Sequence, residues 1–340
     1  AAAAFEGAAW VDPKGRQTNT AAHANRIIAL LRAQQTRDVD SLVALVDGWA
    51  ENASSRTARL APLAARGDRA RLRPLLDSLL RDSALSVNER TVHRRRLEQI
   101  ARSEGRLVAA EQLAGLTDSE EPIAGAPQLR VARVARDLAL LRGDLPAAVR
   151  LLDSLERSPE YAALDPRNRP YGLIAEAWLA AGDARRAQGV LDDRARALSA
   201  TWPMLDELPV LRDEADLASA RGDGVEALRL ARRADRGACV VCGLPVLSRA
   251  WIAAGRPDSA IAVLERYVTL LEPSRLAVDQ TELPRALRTL GELHDAAGHV
   301  PQAVARYRAF LQLWAGADAS LQPAVREVQG RIARLLARKG

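Results

Sequence analysis

The sequence predicts an all-α, right-handed solenoid of stacked helix pairs, and three observations predict it. Apolar residues are 48% of the 340-residue chain but aromatic residues only 4%. The apolar share is therefore mostly Ala, Leu and Val, and Ala and Leu are strong helix formers. Alternation of apolar and polar residues over four to eight positions, the mark of a half-buried strand, is hard to find. Glycines that close a helical apolar pattern recur at Gly67, Gly105, Gly143, Gly182, Gly222, Gly255 and Gly298, spaced 38, 38, 39, 40, 33 and 43 residues apart. A period of this size marks a stacked repeat array.

Each repeat reads as helix, glycine turn, helix. Five residues after the glycines stand Leu72, Ala110, Ala148, Ala187, Ala227, Ala260 and Ala303. Eight residues after them stand Leu75, Leu113, Leu151, Val190, Leu230, Val263 and Arg306. Glycine suits the left-handed residue that ends a helix, and the Asp that often follows suits the cap of the next. Pro146 and Pro257 fall in a first turn, where proline is tolerated. The tripeptide Arg-Gly-Asp, present at Gly67, Gly143 and Gly222, is thus a tight turn used three times, not an adhesion loop. In order, residues 1–16 read as an N-terminal arm and 17–50 as a degenerate first helix pair. Residues 51–318 read as about seven helix-turn-helix units, and 319–340 as a polar-faced capping helix.

The units resemble tetratricopeptide repeats of bacterial proteins. "LGELHDAAGHVPQAVARYRAFLQLW" carries the Leu-Gly pair of that family at Leu290 and Gly291, the turn glycine Gly298, Ala303 and Tyr307. Trp178 and Trp251 stand four residues before their turn glycines, where the family prefers a large side chain. The resemblance covers about residues 50–315. Most periods exceed the usual 34, and in "RDEADLASARG" Glu214 and Ala215 replace the Leu-Gly pair. It implies a scaffold for protein–protein contacts, without catalysis, whose first helices line a concave groove. Counted from the turn glycines, that groove takes Arg95, Gln99, Arg102, Arg130, Arg133, Asp137, Arg169, Glu176, Arg212, Asp216, Arg249, Arg285 and Arg288, with Glu292 beside them. Such an arginine ladder suits an acidic segment or a chain-terminal carboxylate. Pairing of these arginines with the neighbouring acids is the alternative. The Lys/Asn set with which chaperone-binding members of the family clamp a carboxylate is not reproduced.

Charge and motifs bound the rest. Net charge is +6, and Lys14 and Lys339 are the only lysines. From Arg56 to Arg106 there are 13 Arg against 6 Asp and Glu, a stretch that also fits a solvated helix face. "HRRRLEQ" at His93 has no stacking aromatics near it, which argues against nucleic acid. No run of 18 apolar residues exists, so no membrane insertion is expected. Lys14 precedes Gly15, the wrong order for a phosphate-binding loop. Neither a catalytic site nor a cofactor is expected. Cys239-Val-Val-Cys242 admits a disulfide, a redox pair or half of a metal site. His23, His93, His294 and His299 are too scattered to complete a zinc set, and no metal is expected. Asn52-Ala53-Ser54 is a glycosylation sequon, meaningful only in a secreted chain. The start "AAAAFEGAAW" fits signal-peptidase cleavage, and equally a boundary within a longer chain, so the reading leans only slightly to a secreted or extracytoplasmic protein. A second function is a self-assembling subunit, an oligomer or filament joined by the arm through Phe5 and Trp10.

Overall fold

A computed structural model describes residues 20–46, 53–120, 122–199, 207–235 and 239–337. The described residues form an all-α solenoid with no strand among them. Helices α1 (Thr20–Arg32) and α2 (Thr36–Val46) open the chain. Seven pairs follow, each hinged on one of the recurring glycines: α3 (Ala53–Arg66) with α4 (Arg69–Leu79), and α5 (Val87–Ser103) with α6 (Leu107–Glu120). Next come α7 (Ala126–Asp137) with α8 (Leu145–Arg157) and, after the short α9 (Pro159–Ala162), α10 (Tyr171–Ala180) with α11 (Ala184–Ser199). Then α12 (Glu207–Ala220) pairs with α13 (Gly224–Ala234), α14 (Val240–Ala253) with α15 (Pro257–Thr269), and α16 (Arg275–Ala296) with α17 (Val300–Leu313). Helix α18 (Gln322–Ala337) ends the described chain.

The turn chemistry is repeated faithfully. All seven hinge glycines have positive φ, between 64° and 83°, a region that glycine enters without a Cβ penalty. Asp68, Asp144, Asp183 and Asp223 each accept a hydrogen bond from the backbone N–H three residues on, at 3.2, 3.1, 2.9 and 3.1 Å. Those bonds satisfy donors that a helix start otherwise leaves unpaired. The residue five beyond each glycine is 0% exposed in all seven pairs, from Leu72 through Ala303. Six of the seven are alanine, small enough to let the two helices of a pair approach closely. The pair at Gly143 differs: α7 runs into a π-helical turn, Leu138–Arg142, before its glycine. A π turn inserts one residue into the helical ladder.

Among the described residues the stack folds back on itself. Helix α16 packs against α14 on one side and against α5 and α3 on the other, so the last pairs cover the first. Gln34 exchanges two hydrogen bonds with the Leu271 backbone, at 2.8 and 3.1 Å. The Trp314 indole N–H donates to the Ser103 carbonyl at 3.2 Å. The Asp318 amide donates to the Gly105 carbonyl at 3.0 Å, and the Asp318 carboxylate accepts the Val108 N–H at 2.9 Å, so a distant segment caps α6. Gly105 is needed twice here: its φ is +72°, and a Cβ on it would lie 2.8 Å from the Ala317 Cβ. Sequence reading has residues 319–340 covering a last exposed apolar face; in the structure α5 and α6 meet that end of the array as well. The largest apolar core spans the closure, joining Leu107 and Leu141 to Leu290, Tyr307 and Leu321.

Candidate functional site

Closure brings the inner faces of six first helices around one centre, and their charges form an unbroken chain. Arg133 pairs with Glu98 at 3.1 Å, and Glu98 with Arg102 at 3.2 Å. Arg102 pairs with Asp137, and Asp137 with Arg136 at 3.1 Å. Arg136 faces Glu176 at 3.9 Å, and Glu176 faces Arg285 at 3.8 Å. Arg285 pairs with Glu282 at 3.1 Å, Glu282 with Arg249 at 2.9 Å, and Arg249 with Asp216 at 2.7 Å. Five guanidiniums thus alternate with five carboxylates across α5, α7, α10, α12, α14 and α16. The balance follows from burial: Arg102 is 0% exposed and Asp137 3%, and an ion held away from water needs a partner of opposite sign.

The electrostatics are uneven along the chain. Burial lowers the Arg249 guanidinium, but Asp216 and Glu282 outweigh it and hold Arg249 well above its ordinary value. Burial raises Glu282, but Arg249 and Arg285 outweigh it and leave the carboxyl below its ordinary range. Burial lowers Arg136 to about 10. At Glu176 burial wins, and its carboxyl is raised. That is the link with the longest contacts. Glu176 is also where two concavities meet. One, of about 300 Å³, has apolar walls that include Leu140, Ala180 and Ile252. The other, of about 510 Å³, is flanked by Arg167, Arg169, Tyr171 and Arg212. They share Glu176, Leu179, Asp216 and Arg249.

Comparison with known proteins adds little to this geometry. No family model matches the chain, and no curated protein matches it. Among solved structures, the crystal structure of the P58(IPK) TPR domain aligns over 95% of this chain and 99% of that one, at 18% identity and a TM-score of 0.26. The fold described here rests on its own contacts.

The sequence-derived groove residues separate into three groups. Arg102, Arg133, Asp137, Glu176, Asp216, Arg249 and Arg285 belong to the central chain. Arg169 and Arg212 line the larger concavity; Arg169 also ties down its own loop, donating to the Leu164 and Ala162 carbonyls at 3.2 and 2.7 Å. The rest stand apart. Arg130 pairs with Asp118 at 2.5 Å and Arg288 with Glu327 at 2.7 Å. Arg95 is exposed and Gln99 half-buried. Glu98, Arg136 and Glu282 complete the chain but were missing from the groove set. Their signal was local: Glu98 lies one turn before Arg102, and Glu282 three residues before Arg285.

Cys239 and Cys242 form a disulfide at the start of α14. Phe5 and Trp10 lie outside the described residues. Among the described residues no helix is long and apolar enough to cross a membrane, and no group of three metal-ligating side chains is assembled.

Proposed function

We propose that the protein is a non-catalytic scaffold that binds an acidic or carboxylate-bearing segment of a partner protein in its Arg-lined concavity. The Arg136–Glu176–Arg285 link carries this reading. Every other acid of the central chain has a guanidinium within 3.2 Å, whereas Glu176 has its two at 3.9 and 3.8 Å. Arg285, which lines the smaller concavity, therefore keeps donor capacity toward that space. An incoming carboxylate accepts charge-assisted hydrogen bonds from Arg285. Glu176, already raised by burial, takes up a proton and removes the repulsion between two carboxylates. The apolar walls around Leu140, Leu179 and Ile252 accept the stem of the bound residue. The resemblance of the repeats to tetratricopeptide units supports a polypeptide partner.

The test is fluorescence anisotropy with a labelled peptide ending in several glutamates, against the same peptide with glutamines. The glutamate peptide is expected to bind, more weakly as salt rises, and about tenfold more weakly to Arg285→Gln, which corresponds to roughly 1.4 kcal/mol. Arg95→Gln, at an exposed position, is expected to leave binding unchanged. Equal binding of the two peptides, or equal binding by wild type and Arg285→Gln, overturns the reading.

A further inference from the structure

The groove makes no use of the cysteine pair, whose surroundings are chemically specific. Cys239 is the N-cap residue of α14, and its carbonyl accepts the Cys242 N–H at 3.2 Å. The disulfide thus joins the cap of the helix to its third residue. The first turn of α14 contains no acidic side chain. Its unpaired N–H groups present the positive end of the helix to Cys239 and favour a thiolate there. Both cysteines are half-buried at the edge of the largest apolar core.

A carboxyl group sits against the same turn. Asp235 closes α13, and a Cβ built on Gly243, the residue after Cys242, would lie 2.9 Å from Asp235 Oδ1 and 3.3 Å from its Cα. A side chain at position 243 would push that carboxyl away. Oδ1 is buried and has no hydrogen-bond partner among the described residues. Burial raises the acid above its ordinary range, against the opposing pull of Arg266 and Arg212. A raised carboxyl packed against the turn that carries Cys242, with the helix N-terminus at Cys239, makes the two cysteines chemically unequal.

We propose that Cys239 and Cys242 are a thiol–disulfide exchange site for a dithiol partner, with Cys239 as the exchanging sulfur and Asp235 as the proton relay to Cys242. A partner thiolate attacks Cys239 Sγ. A partner–Cys239 disulfide forms, the Cys239–Cys242 bond breaks, and Cys242 leaves as a thiolate that takes the proton of Asp235. The partner's second thiolate then attacks the partner sulfur of the mixed disulfide. The partner closes its own disulfide, and Cys239 leaves as a thiolate held by the start of α14. Two electrons pass from the partner dithiol to the cysteine pair. Of the two protons shed by the partner thiols, one is balanced by the proton on Cys242 once water reprotonates Asp235, and the other stays in solvent. Arg249, in the groove, lies ten residues further along α14, about 15 Å down the axis, so this site stands or falls separately from the partner-binding reading.

The experiment uses the full chain with dithiothreitol and glutathione as probes. Folded wild type is expected to oxidise one equivalent of dithiothreitol, with the helical circular dichroism retained. Cys242→Ser is expected to accumulate a mixed disulfide with oxidised glutathione, seen as one added glutathione by mass, at least about tenfold faster than Cys239→Ser. Asp235→Asn is expected to slow the wild-type exchange by about tenfold or more and to flatten its pH profile. A disulfide that dithiothreitol leaves intact in the folded protein overturns the site. Equal rates in the two single-cysteine variants overturn the assignment of Cys239. An unchanged pH profile in Asp235→Asn removes the relay.

Discussion

Arg69 and Asp279 stand 210 residues apart in sequence and form an ion pair at 2.5 Å. Asp279 is 0% exposed. It also accepts from Arg275 at 2.8 Å and from the Tyr267 hydroxyl at 2.7 Å. One carboxylate therefore joins α4 to α15 and α16 across the closure. Removing a single member of a buried ion cluster strands the others, at a cost of about 3–5 kcal/mol. Asp279→Ala is expected to lose about that much, read from the midpoint of urea denaturation at neutral pH. Arg71→Ala, at a largely exposed side chain, is expected to stay within about 0.5 kcal/mol of wild type. Equal midpoints for the two variants would show that Asp279 does not clasp the closure.

Gly291 and Tyr307 fit against each other within the α16–α17 pair. A Cβ on Gly291 would lie 2.3 Å from Tyr307 Cε1 and 2.4 Å from Cδ1, and Tyr307 is 0% exposed, so the ring has nowhere to go. Gly291→Ala is expected to destabilise by about 1–3 kcal/mol through overpacking. Tyr307→Leu in the same chain is expected to reduce that loss, giving a coupling term in a double-mutant cycle. Additive losses would mean that the two residues do not meet.

Glu176 gives a pH signature of defined sign. Burial raises its folded-state value above the ordinary 4.5, so above that pH the folded chain binds more protons than the unfolded one. The folded state then loses stability as pH climbs from 4.5 through the raised value. Glu176→Gln removes the titration. It is expected to be more stable than wild type at neutral pH, with the difference closing as pH falls toward 4.5. Thermal melts of both proteins across that range check it. A constant difference would show that the carboxyl is not held above its ordinary value.

The repeat was legible because it is written locally. Gly143, Asp144 and Ala148 fall within six consecutive positions, and each does one physical job there: left-handed exit, cap and close approach. The closure was not legible, because Gln34 and Leu271 share no sequence pattern and meet only when all the pairs between them have stacked. The site was half legible. Distance from the turn glycine placed Arg102 and Arg249 on inner faces, but an inner face full of arginine and acid looks, in sequence, like a solvated one. What distinguishes them is the partner, and Asp137 reaches Arg102 from another helix pair. Arg130 shows the converse: one turn from Arg133 on the same helix, it turns to Asp118 at the junction with α6.

An open repeat array folds by nearest neighbours, can nucleate anywhere, and tolerates loss of a terminal unit. This array has a different folding problem. The Gln34–Leu271 bonds span 237 residues, and long-range contacts of that kind raise contact order and slow folding. During synthesis α3, α5 and α6 must wait for α16 and α17 with apolar side chains uncovered, an interval in which aggregation competes. Once the seam forms, it opposes fraying of the pairs it joins, and the stack is expected to melt as one cooperative unit instead of unzipping pair by pair.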